Sequence, residues 1–205
     1  MFRNSNSDFV AIDDVPALPL SVSFWVNCVG GGGYQTFCSI TERSRTNPIV
    51  QMDYDQGAGR LVFVGAFPAW WTDSLLYNIS PDTWYHVTYT ISPSYIGKVY
   101  INGSLQKTIT GSGLDWWKGR NRIIVGSNGD GGAGSTRGFY GRLADVRIYD
   151  MELRQDEIKN ISNANYYRNN FQIGYTNESN FLVNRNNWTQ EMTFVQYGGY
   201  GNENI

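Results

Sequence analysis

Asp53 and Asp55 are the two acidic residues in this sequence whose spacing best suits chemistry at a pair of carboxylates. They stand two apart at the end of a segment typical of a strand, so we expect both side chains on one face, roughly 7 Å apart by strand rise. That separation would suit an inverting glycosidase or a metal ion. The pair also adjoins a turn at residues 56–59, where surface Asp residues are common. We favour this second interpretation.

Paired tryptophans are the strongest signal for binding. Trp70-Trp71 and Trp116-Trp117 stand in segments with turn character, and flat indole faces stack on sugar rings or anchor protein partners. An arrangement in which one Trp of each pair faces the core explains them equally well. The candidate ligand-binding residues are these four tryptophans and the polar or aromatic residues expected near them, Tyr34, Tyr54, Asn128, Asp130 and Tyr140.

Other catalytic patterns are weak. The sequence contains one histidine, His86, so a His-based metal cluster or a Ser-His-Asp triad would have to be built around it alone. The Gly-rich segment GSNGDGGAGSTRG at residues 126–138 lacks the Gly-Lys-Ser/Thr of a phosphate loop, and no helix begins there. We expect it to form a long loop at the rim of the fold.

The elements that must position these residues are β-strands. In residues 84–103, WYHVTYTISPSYIGKVYING, two arms alternate with period two, and Asn102-Gly103 supplies a hairpin turn. One face of the first arm carries Tyr85, Val87, Tyr89 and Ile91, and the apolar residues of the second are Val99 and Ile101. The centre of the chain is therefore predicted to be a β-meander.

Further short strands are predicted on both sides of this meander. LSVSFWVNC alternates like a half-buried strand, and QTFCSIT, PIVQMDY, GRLVFVGAF, NRIIVG and GFYGRLADVRIYD read as other strands. The helical pattern is MELRQDEIKNI, with Leu153, Ile158 and Ile161 on one side, and we expect it to cap one end of the fold. Because strands and helices do not alternate, the predicted fold class is all-β, a two-sheet antiparallel jelly-roll sandwich with one short helix.

Length and charge agree with this architecture. A chain of 205 residues fits one sandwich domain with a large core. The formal net charge of -2 gives no electrostatic reason to expect a nucleic-acid partner. No segment is apolar enough for a signal peptide or a membrane span, so we expect a protein made in the cytoplasm, beginning near Met1 and without a membrane partner.

If Cys28 and Cys38 faced each other across a hairpin they could form a disulfide, but free buried thiols are favoured without a secretion signal.

The composition changes after about residue 162. Residues 163–205 are rich in Asn, Tyr and Gly, yet they contain too many apolar side chains for an ordinary disordered tail. We therefore predict a domain at residues 1–162 and a C-terminal arm at residues 163–205. The arm is expected to be ordered against its own domain or a neighbouring chain, and to serve docking or homo-oligomerisation.

The order SVSFWVN, WYHVTYTIS, GKVYINGSLQ, RIIVGS and FYGRLADVRIYDMELRQDEI resembles the laminin G-like and pentraxin-like branch of the concanavalin A-like lectin/glucanase jelly rolls. The resemblance covers roughly residues 8 to 161 and does not include the C-terminal arm. It implies a sandwich in which the strand with DVRIY lies beside the N-terminal strand, here DFVAI at residues 8–12. It also implies that His86, which follows a Trp-Tyr pair, is a packing residue.

What the resemblance implies for function is broad, because this fold hosts lectins, adhesion modules, glycosidases and structural domains. Retaining glycosidases on it share a Glu-x-Asp-x-x-Glu strand motif, which this sequence lacks. Modules of this type often bind Ca²⁺ through Asp and Asn oxygens, and the candidate metal ligands are Asp130 and Asp145. No cofactor other than such a structural calcium ion is expected.

The leading functional hypothesis is a non-catalytic recognition module that binds a glycan or a cell-surface polysaccharide. A compact adhesive jelly roll without a signal peptide, carrying an aromatic arm, is what a bacteriophage virion protein could look like, with the arm docking it to neighbouring subunits. The alternatives are a glycan-active hydrolase or lyase that uses Asp53 and Asp55, and a structural capsid decoration subunit that binds no sugar.

Overall fold

The structure is a computed structural model that describes residues 2–3, 9–15, 18–30, 32–42, 50–65, 74–110, 121–128, 137–163, 181–183 and 194–197. The described strands, in chain order, are β1 (Phe2–Arg3), β2 (Val10–Val15), β3 (Leu20–Cys28), β4 (Tyr34–Glu42), β5 (Val50–Asp55), β6 (Arg60–Gly65), β7 (Ser74–Asn78), β8 (Trp84–Ile91), β9 (Ile96–Ile101), β10 (Ser104–Thr110), β11 (Asn121–Val125), β12 (Tyr140–Tyr149), β13 (Phe181–Val183) and β14 (Phe194–Tyr197). A helix, α1 (Gln155–Asn163), follows β12. Within these ranges no helix is both long and apolar enough to cross a membrane.

The described strands form two sheets. The first has the order β1-β12-β3-β8-β9-β10, with β14 also beside β12, and the second has the order β13-β2-β11-β4-β5-β6-β7. Neighbouring strands run antiparallel except β12 and β14, which are parallel. One core cluster contains buried side chains from both sheets, so the sheets pack face to face. The predicted all-β jelly-roll sandwich is confirmed.

The predicted β-meander is present as β8, β9 and β10. Val87 of β8 pairs with Ile101 of β9, and both are buried in the core. Asn102 and Gly103 form the tight turn into β10, with φ values of 49° and 75°. These positive φ values are the ones that an Asn-Gly hairpin turn requires.

Strand β3 is buried on both faces, whereas its alternation predicted a half-buried strand. Val22, Phe24 and Val26 point into the core as expected. On the opposite face Ser21 is also buried, because its Oγ donates to the carbonyl of Met151 at 2.6 Å and accepts from the backbone N–H of Leu153 at 3.0 Å. The segment that follows β12 therefore covers this face.

Helix α1 lies on the outer face of the first sheet rather than capping one end of the sandwich. Leu153, Ile158 and Ile161 pack with Tyr100 and Tyr149, two sheet residues whose sequence neighbours point into the core. The apolar side chains that predicted the helix are thus buried as expected, but they pack against the face of a sheet.

One expectation about strand partners is corrected, and the hairpin that would have allowed a disulfide is absent. DFVAI does not lie beside the strand that carries DVRIY, since β2 pairs with β11 and β13 in the second sheet, and β12 pairs instead with β1 and β3. Cys28 and Cys38 do not face each other across a hairpin, because β3 and β4 belong to different sheets. Both thiols are free and buried, and burial raises the pKa of Cys38 to about 12.

Two short segments of the C-terminal arm join the sheets of the same chain. Strand β13 adds to the edge of the second sheet beside β2, and β14 adds to the first sheet beside β12. Two short strands therefore share the edge of β12 that faces away from β3. Strand β1 pairs with residues 140–141, and β14 pairs with residues 146–149.

Candidate functional site

A row of cross-strand neighbours crosses the second sheet at the start of β4. Tyr34 pairs with Asp55, Asp55 with Arg60, and Arg60 with Asn78. Residues directly opposite one another in antiparallel strands point to the same face. Because Tyr54, the neighbour of Asp55 in β5, points into the core, this row lies on the outer face of the sandwich.

A second row lies next to the first on the same face. Thr36 pairs with Asp53, Asp53 with Val62, and Val62 with Leu76. Asp53 and Val62 are fully buried, whereas Leu76 is 49% exposed. The outer face of the sheet is therefore shielded from solvent at Asp53 and Val62 and exposed to solvent at Leu76 in β7.

Asp53 is held by three neighbouring side chains. Its carboxylate accepts hydrogen bonds from Thr36 Oγ1 at 2.7 Å and from Gln51 Nε2 at 2.6 and 2.8 Å. Arg137, which returns from the Gly-rich segment, donates from Nη1 to Oδ2 at 3.2 Å. Burial raises the pKa of the Asp53 carboxyl above its ordinary value, while these hydrogen bonds and the Arg137 charge act in the opposite direction.

Asp55 is held by the turn that follows it. Its Oδ1 accepts from the backbone N–H of Ala58 at 3.3 Å, and Oδ2 lies 3.0–3.1 Å from two nitrogens of Arg60. The Arg60 guanidinium also donates to the hydroxyl of Tyr34. Arg60 thus bridges the carboxylate of Asp55 and the hydroxyl of Tyr34, the cross-strand neighbour of Asp55.

Arg137 joins the two rows. Its guanidinium carbon lies 5.3 Å from the centroid of the Tyr34 ring, within the range of a cation–π contact. We call the outward-facing set formed by Tyr34, Arg60, Leu76, Asn78 and Arg137 the Tyr34 face. It combines an aromatic ring, an apolar side chain, an exposed amide and guanidinium N–H donors, which is the chemistry of a site that binds a polyhydroxylated or anionic ligand.

Both Asp53 and Asp55 are engaged by hydrogen-bond donors and by an arginine. The carboxylate of Asp53 is enclosed by donors, and that of Asp55 is paired with Arg60. An inverting glycosidase needs one carboxylate that can reach water and one that can protonate a leaving group. The expectation that these residues are surface acids beside a turn also needs correction, because both are buried.

The structure corrects one predicted ligand residue. Tyr54 is 1% exposed and belongs to the core cluster, because β5 directs alternate residues to opposite faces. Its ring cannot be a stacking platform for a ligand. The same alternation places Asp53 and Asp55 together on one face, as the sequence predicted, and this is the outer face of the sheet.

Tyr140 and Asn128 lie at the same end of the sandwich as Tyr34. The backbone N–H of Tyr140 donates to Gln35 Oε1 at 2.9 Å, and Gln35 Nε2 donates to the carbonyl of Gly30 at 2.6 Å. Asn128 follows the bridge between Ser127 and Gly138 at the base of the Gly-rich segment. Its Oδ1 is buried and has no hydrogen-bond donor among the described residues.

The four tryptophans and Asp130 lie outside the described residues. The segments that carry the tryptophans join the second sheet next to Gly65, Ser74 and Asn121. These positions are at the end of the sheet opposite Tyr34, since Asn121 pairs with Glu42 at the far end of β4. Tyr34 and the strand ends next to the tryptophan segments therefore lie at opposite ends of the second sheet.

Asp145, the other candidate calcium ligand, is paired with a cation. It occupies a bulge of β12 with a φ of 51°, and its Oδ1 accepts from Arg147 Nε at 2.7 Å. The described residues contain no group of three or more His, Cys, Asp or Glu side chains that could hold a metal ion. Because a guanidinium occupies the place where a cation would bind, the surroundings of Asp145 do not fit calcium.

Sequence reasoning missed most of the Tyr34 face. Strand β6 begins with Arg60, and β7 carries Leu76 and Asn78 two positions apart. Because side chains alternate along a strand, the face that these residues share with Asp55 could have been found once the strand order was known. Arg137 comes from a Gly-rich segment without periodicity, and nothing local indicates that it reaches Asp53.

Two β-sheets packed face to face in this strand order define a jelly-roll sandwich. The chain belongs to the concanavalin A-like lectin/glucanases superfamily, since the Laminin_G_3 family model matches residues 4–159. The resemblance read from the sequence is therefore confirmed. The comparison with curated proteins finds no match.

Solved structures agree on the fold. A heptameric SAP-like pentraxin from Limulus polyphemus is 17% identical with a TM-score of 0.56, and the match covers 88% of this chain and 94% of the pentraxin. The receptor binding domain of botulinum neurotoxin mosaic serotype C/D is 19% identical with a TM-score of 0.57, covering 81% of this chain and 42% of that one. A Bacteroides ovatus protein to which carbohydrate binding is ascribed is 16% identical with a TM-score of 0.54, covering 77% and 45%. The chain thus spans nearly all of the pentraxin and less than half of the other two.

Proposed function

We propose that this protein is a non-catalytic carbohydrate-binding module and that the Tyr34 face contacts the saccharide. The observation that carries the proposal is the contact between Tyr34 and Arg137 at 5.3 Å, next to Arg60, on an open end of the outer sheet face. Buried Asp53 and Asp55 fix both guanidinium groups, so the donors are oriented before a ligand arrives. The carbohydrate binding ascribed to the Bacteroides ovatus protein of similar fold supports the same class of ligand.

The absence of catalysis is part of this proposal. Its support is that Asp53 and Asp55 are each engaged by an arginine and by further donors, which leaves neither carboxylate positioned for proton transfer. A face without a general acid can hold a sugar but has no group to protonate a glycosidic oxygen.

A glycan array followed by calorimetry on the positive saccharides tests the proposal. We expect Tyr34→Ala to weaken binding by about fivefold or more, because a stacked ring is worth on the order of 1 kcal/mol. Tyr95→Ala, at a half-buried tyrosine in the turn between β8 and β9, is the matched control and should bind like the wild type. If the wild-type protein binds no saccharide, or if the two variants weaken binding equally, the proposal is wrong.

The same assay compares the tryptophan pairs with the Tyr34 face. Trp70→Ala, Trp71→Ala, Trp116→Ala and Trp117→Ala should each cost on the order of 1 kcal/mol if their indoles stack on the sugar. If all four variants stay folded and bind normally while Tyr34→Ala does not, the tryptophans are structural and the ligand lies on the Tyr34 face alone.

For its setting we propose that the module is displayed on a larger assembly such as a bacteriophage virion, with residues 163–205 docking it. The support is the apolar and aromatic content of these residues. The heptameric state named for the pentraxin of similar fold makes a homo-oligomer a reasonable expectation. Light scattering on the full chain and on a chain that lacks residues 165–205 tests the docking role.

A further inference from the structure

Two guanidinium groups converge on one tyrosine ring in the Tyr34 face. Arg137 lies 5.3 Å from the ring centroid, and Arg60 donates to the hydroxyl of the same ring. They come from different parts of the chain, since Arg60 begins β6 and Arg137 lies near the end of the Gly-rich segment. Their meeting at Tyr34 therefore depends on the fold.

The charges are arranged in two layers. The side chains of Asp53 and Asp55 are 0% and 11% exposed, whereas those of Arg137 and Arg60 are 34% and 29% exposed. The formal charges of the four groups cancel, but the negative layer lies inside and the positive layer faces out. A ligand that approaches from solvent meets guanidinium groups first.

The buried acids do not use up the donors of these arginines. Asp53 already accepts hydrogen bonds from Thr36 and Gln51, and Arg137 gives it one hydrogen bond at 3.2 Å. A guanidinium carries five N–H donors in a planar fork. Within the described part of the chain, this leaves Arg137 with donors for an outside acceptor, and its fork fits an oxyanion with two oxygens better than a single sugar hydroxyl.

We infer that the ligand of the Tyr34 face is an anionic saccharide, one that carries a carboxylate or a sulfate ester. This inference rests on the proposed carbohydrate-binding function and names its ligand class. The anionic group pairs with Arg137 and Arg60, and the sugar ring contacts Tyr34. Asn78 adds an exposed amide at the edge of the face.

Calorimetry on the full chain with matched charged and neutral saccharides tests the inference. The carboxylate probes are trigalacturonate and its full methyl ester, and the sulfate probes are sulfated and unsulfated maltotriose. We expect at least one charged probe to bind about tenfold or more tightly than its neutral partner, and the difference to shrink as NaCl is raised. The pair in which the difference occurs tells a carboxylate ligand from a sulfate ligand.

Variants at the two arginines locate the anion. Arg137→Gln and Arg60→Gln should each remove most of the preference for the charged probe, whereas Arg142→Gln should leave it intact. Arg142 is the matched control because it is a partly exposed arginine on the first sheet, 3.7 Å from Asp82. If Arg137→Gln fails to fold because Asp53 loses its cation, Arg137→Lys keeps the charge, removes the fork and should still weaken binding of the charged probe.

The outcomes separate this inference from the proposed function. If neutral saccharides bind as tightly as charged ones and Tyr34→Ala weakens both, the inference is overturned while the carbohydrate-binding function stands. If charged probes are preferred but Arg142→Gln reduces that preference as much as Arg137→Gln does, the inference is likewise overturned. If no saccharide binds, the proposed function and the inference both fail.

Discussion

The Nε2 atom of His86 lies 2.9 Å from the Oγ of Ser23 on the neighbouring strand. His86 is 1% exposed, its ring packs edge to face against Trp25 at 5.0 Å, and its Nδ1 is buried without a hydrogen-bond partner in the described part of the chain. Burial, with a smaller contribution from the positive charge of Arg147, lowers the pKa of His86 from 6.5 to about 4. The imidazole is therefore neutral in the folded protein at pH 7, as expected of a packing residue.

This burial predicts a loss of stability in mild acid. The unfolded chain binds the histidine proton at about pH 6.5 and the folded chain only near pH 4, so the contribution of His86 is complete above pH 6.5 and is lost as the pH falls towards 4. We expect a cost of about 3 kcal/mol over this window. Urea unfolding at pH 7.5 and pH 4.5 measures it, and His86→Gln should flatten the difference. If the single imidazole titrates above pH 6 in an NMR experiment on the folded protein, this prediction is wrong.

The second prediction concerns the core pair Val87 and Ile101. They pair across β8 and β9 and are fully buried, so truncating either to Ala should lower the free energy of unfolding by about 2–4 kcal/mol through lost burial and a cavity. Leu105→Ala, at an exposed aliphatic residue of β10, is the control and should cost less than about 0.5 kcal/mol. Equal losses at buried and exposed sites would contradict the strand register.

These strands could be predicted because their signals are local. Val87 and Tyr89 alternate with polar residues along β8, and Asn102-Gly103 marks the turn after β9 by residue type alone. The position of DFVAI could not be predicted in the same way. Its neighbours depend on which distant strand covers each sheet edge, and that is decided by packing across the whole sandwich.

The site was predictable only in part, for the same reason. Period two placed Asp53 and Asp55 on one face, but the cation that pairs with Asp53 is Arg137, a residue more than eighty positions away in sequence. Tyr54 was expected to face a ligand as one of the polar or aromatic residues near the paired tryptophans. Whether such a ring faces the core or the solvent depends on which face of β5 the other sheet covers.

The third prediction tests the turn that connects β9 and β10. Gly103 has a φ of 75°, and a Cβ atom there would lie 2.5 Å from Ser162 Oγ and 3.2 Å from Lys159 Cα. Gly103→Ala should therefore destabilise the protein by about 1–3 kcal/mol, through backbone strain and displacement of α1. Gly32→Ala is the control, because that glycine has open space around its Cβ position and an ordinary φ. A Gly103→Ala protein as stable as the control would show that α1 does not rest on this turn.

The fourth prediction is that the protein does not cleave polysaccharides. Asp53 is enclosed by Thr36, Gln51 and Arg137, and Asp55 is paired with Arg60. Incubation with a panel of neutral and acidic glycans should release no reducing ends. Release that disappears in Asp53→Asn, with the variant still folded by circular dichroism, would overturn this prediction and support a glycan-active enzyme.

The last prediction concerns the C-terminal arm, whose strands β13 and β14 pair with β2 and β12 of the same chain. The buried members of the core cluster, among the residues whose side chains the structure describes, lie between Val10 and Val146, so deleting residues 165–205 removes short edge pairings and leaves these members in place. We expect calorimetry to show a change in unfolding temperature of only about a few degrees. Deletion also opens the edges of β2 and β12 and, if the arm docks the module, light scattering should show loss of the native oligomer. A shortened chain that cannot fold would make the arm part of the core, and one that folds and assembles normally would overturn its role in docking.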